Sequence, residues 1–190
     1  MNNQQAIVKS FNTILEMLRD RKIDVSHINQ TVVTNSLVQN SLSNVSFKMQ
    51  IGNISLIYHL NTKFKLSDMR KILGDNIDTS LMYIFIVNDK ISLSNMKSFN
   101  SWSMNYQIFH IKELQFNITK HILVPKHEKV DEEHIKTILD TFSLKTKFQL
   151  PLILKSDPMS RYLGLKGGDV VKVTRNSPSS GEYFVYRCCM

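Results

Sequence analysis

Leu81 to Val87 are seven consecutive apolar residues, and this run constrains the fold more than any other feature of the sequence. A strand with one wet face alternates apolar and polar residues. A strand with no wet face does not alternate, so this run reads as a strand buried on both sides. Such a strand needs neighbours in its own sheet and a packed layer on each face. It is also the longest uninterrupted apolar stretch in the chain, and a membrane-spanning helix needs about 20 such residues. No membrane segment is therefore expected. The opening residues, M-N-N-Q-Q-A-I-V-K-S, contain no basic segment followed by an apolar stretch, so no signal peptide is expected.

The flanking sequence supplies the layers. From Gln5 to Arg21 the apolar residues Ile7, Phe11, Ile14, Leu15 and Leu18 share one helical face. A second helix is expected from about Ser26 to Leu42. The period then changes from 3.6 to 2: Val45, Phe47, Met49 and Ile51 alternate with polar residues, Gly52-Asn53 makes a turn, and Ile54 to Leu60 returns as a hairpin. Ser67 is placed to cap a short helix through Leu73, with Gly74 ending it. A helix after Ser94 and a strand at Tyr106 to Ile111 complete an α/β domain with a central mixed sheet, assigned to residues 1–116 and given a restriction-endonuclease-like shape.

Residues 117–190 read as a smaller α+β domain, again with a mixed sheet. It is expected to open with a strand at Lys120 to Val124. Asp131 then caps a helix that buries Ile135, Ile138, Leu139 and Phe142, and Leu150 to Leu154 forms another strand. Asp157-Pro158 is a strong helix start, because the carboxylate accepts from first-turn N–H groups and Pro sits where no N–H is missed. Gly164 stops that helix, Gly167-Gly168 turns into a strand at Val170 to Arg175, and Glu182 to Cys188 is the final strand.

Charge and chemistry narrow the function. Apolar content of 42% is that of a packed protein. The net charge of +8 is spread evenly, with 11 Lys+Arg against 7 Asp+Glu in residues 1–100 and 13 against 9 in residues 101–190. An even basic bias suits weak, salt-dependent approach to nucleic acid and offers no concentrated basic face. Cys188 and Cys189 are the only cysteines and are adjacent, so a disulfide framework is excluded and a reducing compartment is expected. Asp131-Glu132-Glu133 fits a helix N-terminus better than an acid–base pair. His121, His127 and His134 do not have zinc-ligand spacing. No dinucleotide fingerprint, Walker A loop or nucleophile elbow occurs. A restriction-type nuclease places a carboxylate two residues before a Lys on a strand, to hold Mg²⁺. The only such spacing, Asp20-Arg21-Lys22, ends a helix, and the hairpin strands carry no carboxylate. No catalytic residue, cofactor or metal is expected.

Four blocks in the last third point to one family. They are H-I-L-V-P-K-H from His121, L-P-L-I at Leu150 to Ile153, S-D-P-M-S-R-Y-L-G-L-K-G-G-D-V-V-K-V at Ser156 to Val173, and Y-F-V-Y-R at Tyr183 to Arg187. In order and spacing this region resembles the C-terminal domain of the fifth subunit of eukaryotic RNA polymerases, a domain that has its counterpart in one subunit of the archaeal enzyme. The N-terminal half resembles the eukaryotic subunit's jaw domain more loosely, in its order of elements and in Leu114 to His121 leading into the second domain. Two positions depart from the family. Asn88 to Ser94 lacks the Pro often found in the DNA-facing loop, and Gly167 stands where a basic residue is usual.

The resemblance implies a non-catalytic subunit of a multisubunit DNA-dependent RNA polymerase, without a cofactor. Its second domain would dock on the largest polymerase subunit, with Asp157, Pro158, Arg161, Tyr162 and Lys166 as interface candidates. Its first domain would form part of the lower jaw, where Lys90, Ser92, Ser94, Asn95 and Lys97 are candidates for weak, non-specific contact with downstream duplex DNA. Abundant Asn, Ile and Lys and the looser N-terminal half tilt the expected source towards a large DNA virus, acting in host cytoplasm or virion. A cellular copy would act in the nucleus. The alternatives are a free-standing basic DNA-binding module and an inactive or divergent nuclease fold.

Overall fold

The structure, a computed structural model, describes residues 3–26, 28, 46–60, 66–74, 78–89, 104–179 and 181–190. It divides into two compact units, residues 1–116 and 117–190. The helix expected over Ser26 to Leu42 and the one expected after Ser94 lie almost wholly outside the described residues, as does Val45.

In the first unit, helix α1 (Asn3–Asp20) buries the five apolar residues that share its face. Strands β1 (Ser46–Ile51) and β2 (Ile54–His59) form the antiparallel hairpin, turning at Gly52 with φ +53. Helix α2 (Leu66–Leu73) begins one residue before Ser67, so Ser67 falls in its first turn and not at its cap. Gly74, at φ +74, follows the helix in the left-handed region that favours glycine. Strand β3 (Met82–Val87) pairs in parallel with β2 and with β4 (Asn105–His110), giving a mixed sheet in the order β1-β2-β3-β4.

The two faces of this sheet are sorted by the strand period. On one face Tyr58 stacks on Phe47 at 4.8 Å and reaches Ser10 of α1, its hydroxyl 3.1 Å from the Ser10 Oγ. On the other, Ile57, Tyr83, Phe85 and Val87 pack with Leu73 of α2 and Met104. The all-apolar run is therefore covered on both sides, as its lack of alternation requires.

The second unit departs from expectation at its start. Lys120 to Val124 is not a strand. Asn117 caps a 3₁₀ turn (Ile118–Lys120), accepting from the Thr119 N–H at 2.9 Å, and Val124 closes a further turn onto His121. A local side-chain bond has outcompeted the strand, and the apolar Ile122 is left 95% exposed. Strand β5 (Lys126–Lys129) starts only after Pro125. Helix α3 (Glu132–Thr141) has Asp131 at its N-cap position, but that side chain makes no bond to the first turn. Ile135 and Ile138 are buried, whereas Phe142, beyond the last turn, is exposed and sits edge-on to Tyr186 at 5.9 Å.

Strand β6 (Leu152–Ile153) is shorter than the Leu150 to Leu154 expected. Helix α4 (Pro158–Leu163) leads to β7 (Val170–Ser177) and β8 (Gly181–Cys189). The mixed sheet runs β5-β7-β8-β6, with β6 parallel to β8 and the other pairs antiparallel. Cys188 packs with Ile135, Leu150 and Val170, and Cys189 with Ile153, Leu165, Val171 and Val173. Adjacent residues of a strand point to opposite faces, so the two thiols belong to two different cores.

Candidate interaction surface

The second unit's distinctive surface begins at the helix start read from the sequence. Asp157 Oδ1 accepts from the Met159 N–H at 2.8 Å and the Ser160 N–H at 3.4 Å, with Pro158 in the first turn. Gly164 closes the helix at φ 67, donating to the Ser160 and Arg161 carbonyls. The cap makes this six-residue helix possible, because so short a segment is not stable by propensity. It also fixes the direction of its side chains. Arg161 is half-buried. Tyr162 is only 4% exposed, so its ring belongs to the chain's own core and offers little surface. Pro158 and Lys166 are exposed.

A basic rim surrounds the Gly167-Gly168 turn. Lys155 Nζ lies 3.0 Å from the point where a Cβ at Gly167 would stand, and Lys147 Nζ lies 3.2 Å from the corresponding point at Gly168. Sequence reasoning registers the basic residue missing at position 167. The structure brings the Lys155 ammonium to that place from a neighbouring segment. Asp169 steadies the turn, accepting from Lys129 Nζ and from the Lys166 N–H, both at 2.7 Å.

Apolar side chains are exposed around this unit. Leu152 and Leu154 flank the buried Ile153 on β6, and Phe148 precedes them. On the α3 face a cleft of about 790 Å³ is lined by Phe142, Phe184, Tyr186 and Lys172, whose ammonium sits 3.7 Å from the centre of the Phe184 ring. Sequence periodicity misses these positions because exposure at a sheet edge depends on which strands are neighbours. The two cysteines do not contribute: burial raises both thiol pKa values, and nearby Lys147 and Lys155 only partly offset it.

Among the described residues no cluster of His, Cys, Asp or Glu is placed to hold a metal ion. The five DNA-contact candidates, Lys90, Ser92, Ser94, Asn95 and Lys97, lie outside the described residues.

Residues 116–189 match the family profile described as RNA polymerase Rpb5, C-terminal domain. Nearly the whole chain aligns with a protein of Arabidopsis thaliana named DNA-directed RNA polymerases IV and V subunit 5B, 31% identical over 188 residues, covering 93% of this chain and 86% of that protein. The chain belongs to the RNA polymerase subunit 5 family. A Dictyostelium discoideum member, named DNA-directed RNA polymerases I, II, and III subunit rpabc1, is 30% identical with 94% of each chain covered. The Pyrococcus horikoshii subunit Rpo5 is 45% identical over 73 residues, which is 38% of this chain and 88% of that protein. The archaeal member thus spans a length close to that of one unit, and the two eukaryotic members span both.

Proposed function

We propose that this chain is a non-catalytic subunit of a multisubunit DNA-dependent RNA polymerase, docked through residues 117–190 on the largest subunit. One observation carries the docking role. Among the described residues, every large hydrophobic side chain that is exposed lies between Phe116 and Met190. Exposed apolar side chains concentrated on one unit support a partner there, and a unit of this size gains stability by packing on one. Asp157, Pro158, Arg161 and Lys166 are the proposed contact residues of the second unit, with Tyr162 buried on the inner side of the same helix. A fragment of residues 118–190 should co-purify with the largest subunit and residues 1–116 should not; the reverse would overturn the assignment.

The first unit is proposed to serve as part of the lower jaw beside downstream duplex DNA. Lys90 and Lys97, with Ser92, Ser94 and Asn95, suit phosphate oxygens and carry no base-reading pattern. Two neutralised phosphates give a log–log salt slope of about −2, so contact is weak outside the assembled enzyme. Changing both lysines to Ala should loosen downstream DNA in the assembled polymerase without altering sequence preference. Tight, sequence-selective binding by the isolated chain would refute the jaw role. The Asn, Ile and Lys bias supports a large DNA virus as source, acting in host cytoplasm or virion; a cellular copy would act in the nucleus.

A further inference from the structure

The two edges of the second sheet are built differently. The β5 edge reads Lys-His-Glu-Lys, with Lys126 and Glu128 paired at 2.8 Å, and a charged edge resists strand addition. The β6 edge is short and apolar. Leu152 is 48% and Leu154 63% exposed, against 7% for Ile153 between them.

The backbone of the β6 edge is also one-sided. Pro151 and Ile153 give their carbonyls to Cys188 and Met190, and the Lys155 N–H goes to Met190, so positions 151, 153 and 155 face β8. The backbone N–H and C=O groups of Leu152 and Leu154 therefore point away from β8. Each of their carbonyls already has one donor: Leu152 accepts from the Arg187 guanidinium at 2.9 Å, and Leu154 from the Asp157 N–H at 3.0 Å. Among the described residues the two N–H groups on this edge have no acceptor, and they lie about 6.6 Å apart by strand geometry. Lys155 and Lys166, close by, form no ion pair among the described residues. The edge thus combines apolar side chains, backbone donors and positive charge.

We propose that the outer edge of β6 seats an extended acidic segment of the largest polymerase subunit. Carbonyls and carboxylates of that segment accept from the Leu152 and Leu154 N–H groups and from Lys155 and Lys166. Its apolar side chains cover Leu152 and Leu154. This rests on the docking role proposed above and adds where the partner sits and what chemistry it brings.

The test uses the full chain and the largest subunit, co-expressed and then measured for affinity at two ionic strengths. Failure of the unaltered chain to capture the largest subunit would remove the docking role itself. Given capture, Leu152→Ser/Leu154→Ser and Lys155→Glu/Lys166→Glu should each weaken it at least tenfold, and only the lysine pair should also flatten its salt dependence. All four side chains are on the surface, so both variants should keep the unaltered thermal midpoint. Lys126→Glu on β5 should bind as the unaltered chain does. Undiminished capture by either β6 variant, or equal loss on β5, would overturn the proposal and leave the docking role standing.

Discussion

Raising the pH past 10 probes the first unit through one buried phenol. Tyr58 is fully buried, stacked on Phe47, with its hydroxyl against Ser10. Burial, the largest cause, pushes its pKa far above the ordinary tyrosine value. The folded state therefore holds this proton more tightly than the unfolded chain does. The resulting stability is complete below the unfolded pKa of about 10 and is lost as the pH rises above it, by about 1.4 kcal/mol per pH unit. Tyr58→Phe removes the titration. At pH 8 the variant should be less stable by about 1 kcal/mol, the net value of one hydrogen bond. The penalty stays small because the Ser10 hydroxyl still donates to the Ile7 carbonyl at 2.7 Å. At pH 11 the unaltered chain has lost about 1.4 kcal/mol through this group, so the variant should draw level or pass it. Urea unfolding followed by far-ultraviolet circular dichroism at pH 8 and 11 reads the difference. Lysine titration affects both proteins alike and cancels. A gap that is the same at both pH values would refute the reasoning, because Tyr58 would then ionise as readily folded as unfolded.

Asp157→Ala should destabilise the second unit by about 1 kcal/mol, and Asp157→Asn, which keeps an acceptor, should recover most of that; thermal unfolding of the three proteins checks both. Cys188 and Cys189 should resist alkylation at pH 8 in the folded protein and react fully in denaturant, and mass spectrometry of the oxidised native chain should find no bond between them.

Legibility in the sequence follows locality. The buried face of α1, the hairpin at Gly52-Asn53 and the Asp157-Pro158 start each depend on residues within a few positions of one another, and each is readable. The run Ile122-Leu123-Val124 reads as a strand because its apolar pattern says nothing of the Asn117 cap just before it or of the exposed turn that follows. Phe142 fits the helical period but falls beyond the last turn, where Ser143 at φ 53 diverts the chain. For Tyr162 the sequence leaves core and interface equally open, because nothing in its neighbours reveals which face of α4 packs inward. The lysines around Gly167-Gly168 come from separate segments, and only the pairing of β6 with β8 brings Lys155 there.

The one-sided β6 edge also bears on how the chain survives before it meets a partner. Newly made subunits of large assemblies wait at some concentration, and an apolar strand edge invites them to stack into fibrils. Stacking needs each edge to both give and receive. Two copies of β6 brought together would have to share the carbonyls with the Arg187 guanidinium and the Asp157 N–H. The opposite edge carries Lys126, Glu128 and Lys129, and charge there resists strand addition. An edge that matches itself poorly, yet suits an acceptor-rich stranger, favours a chain that waits alone over one that pairs with its own kind.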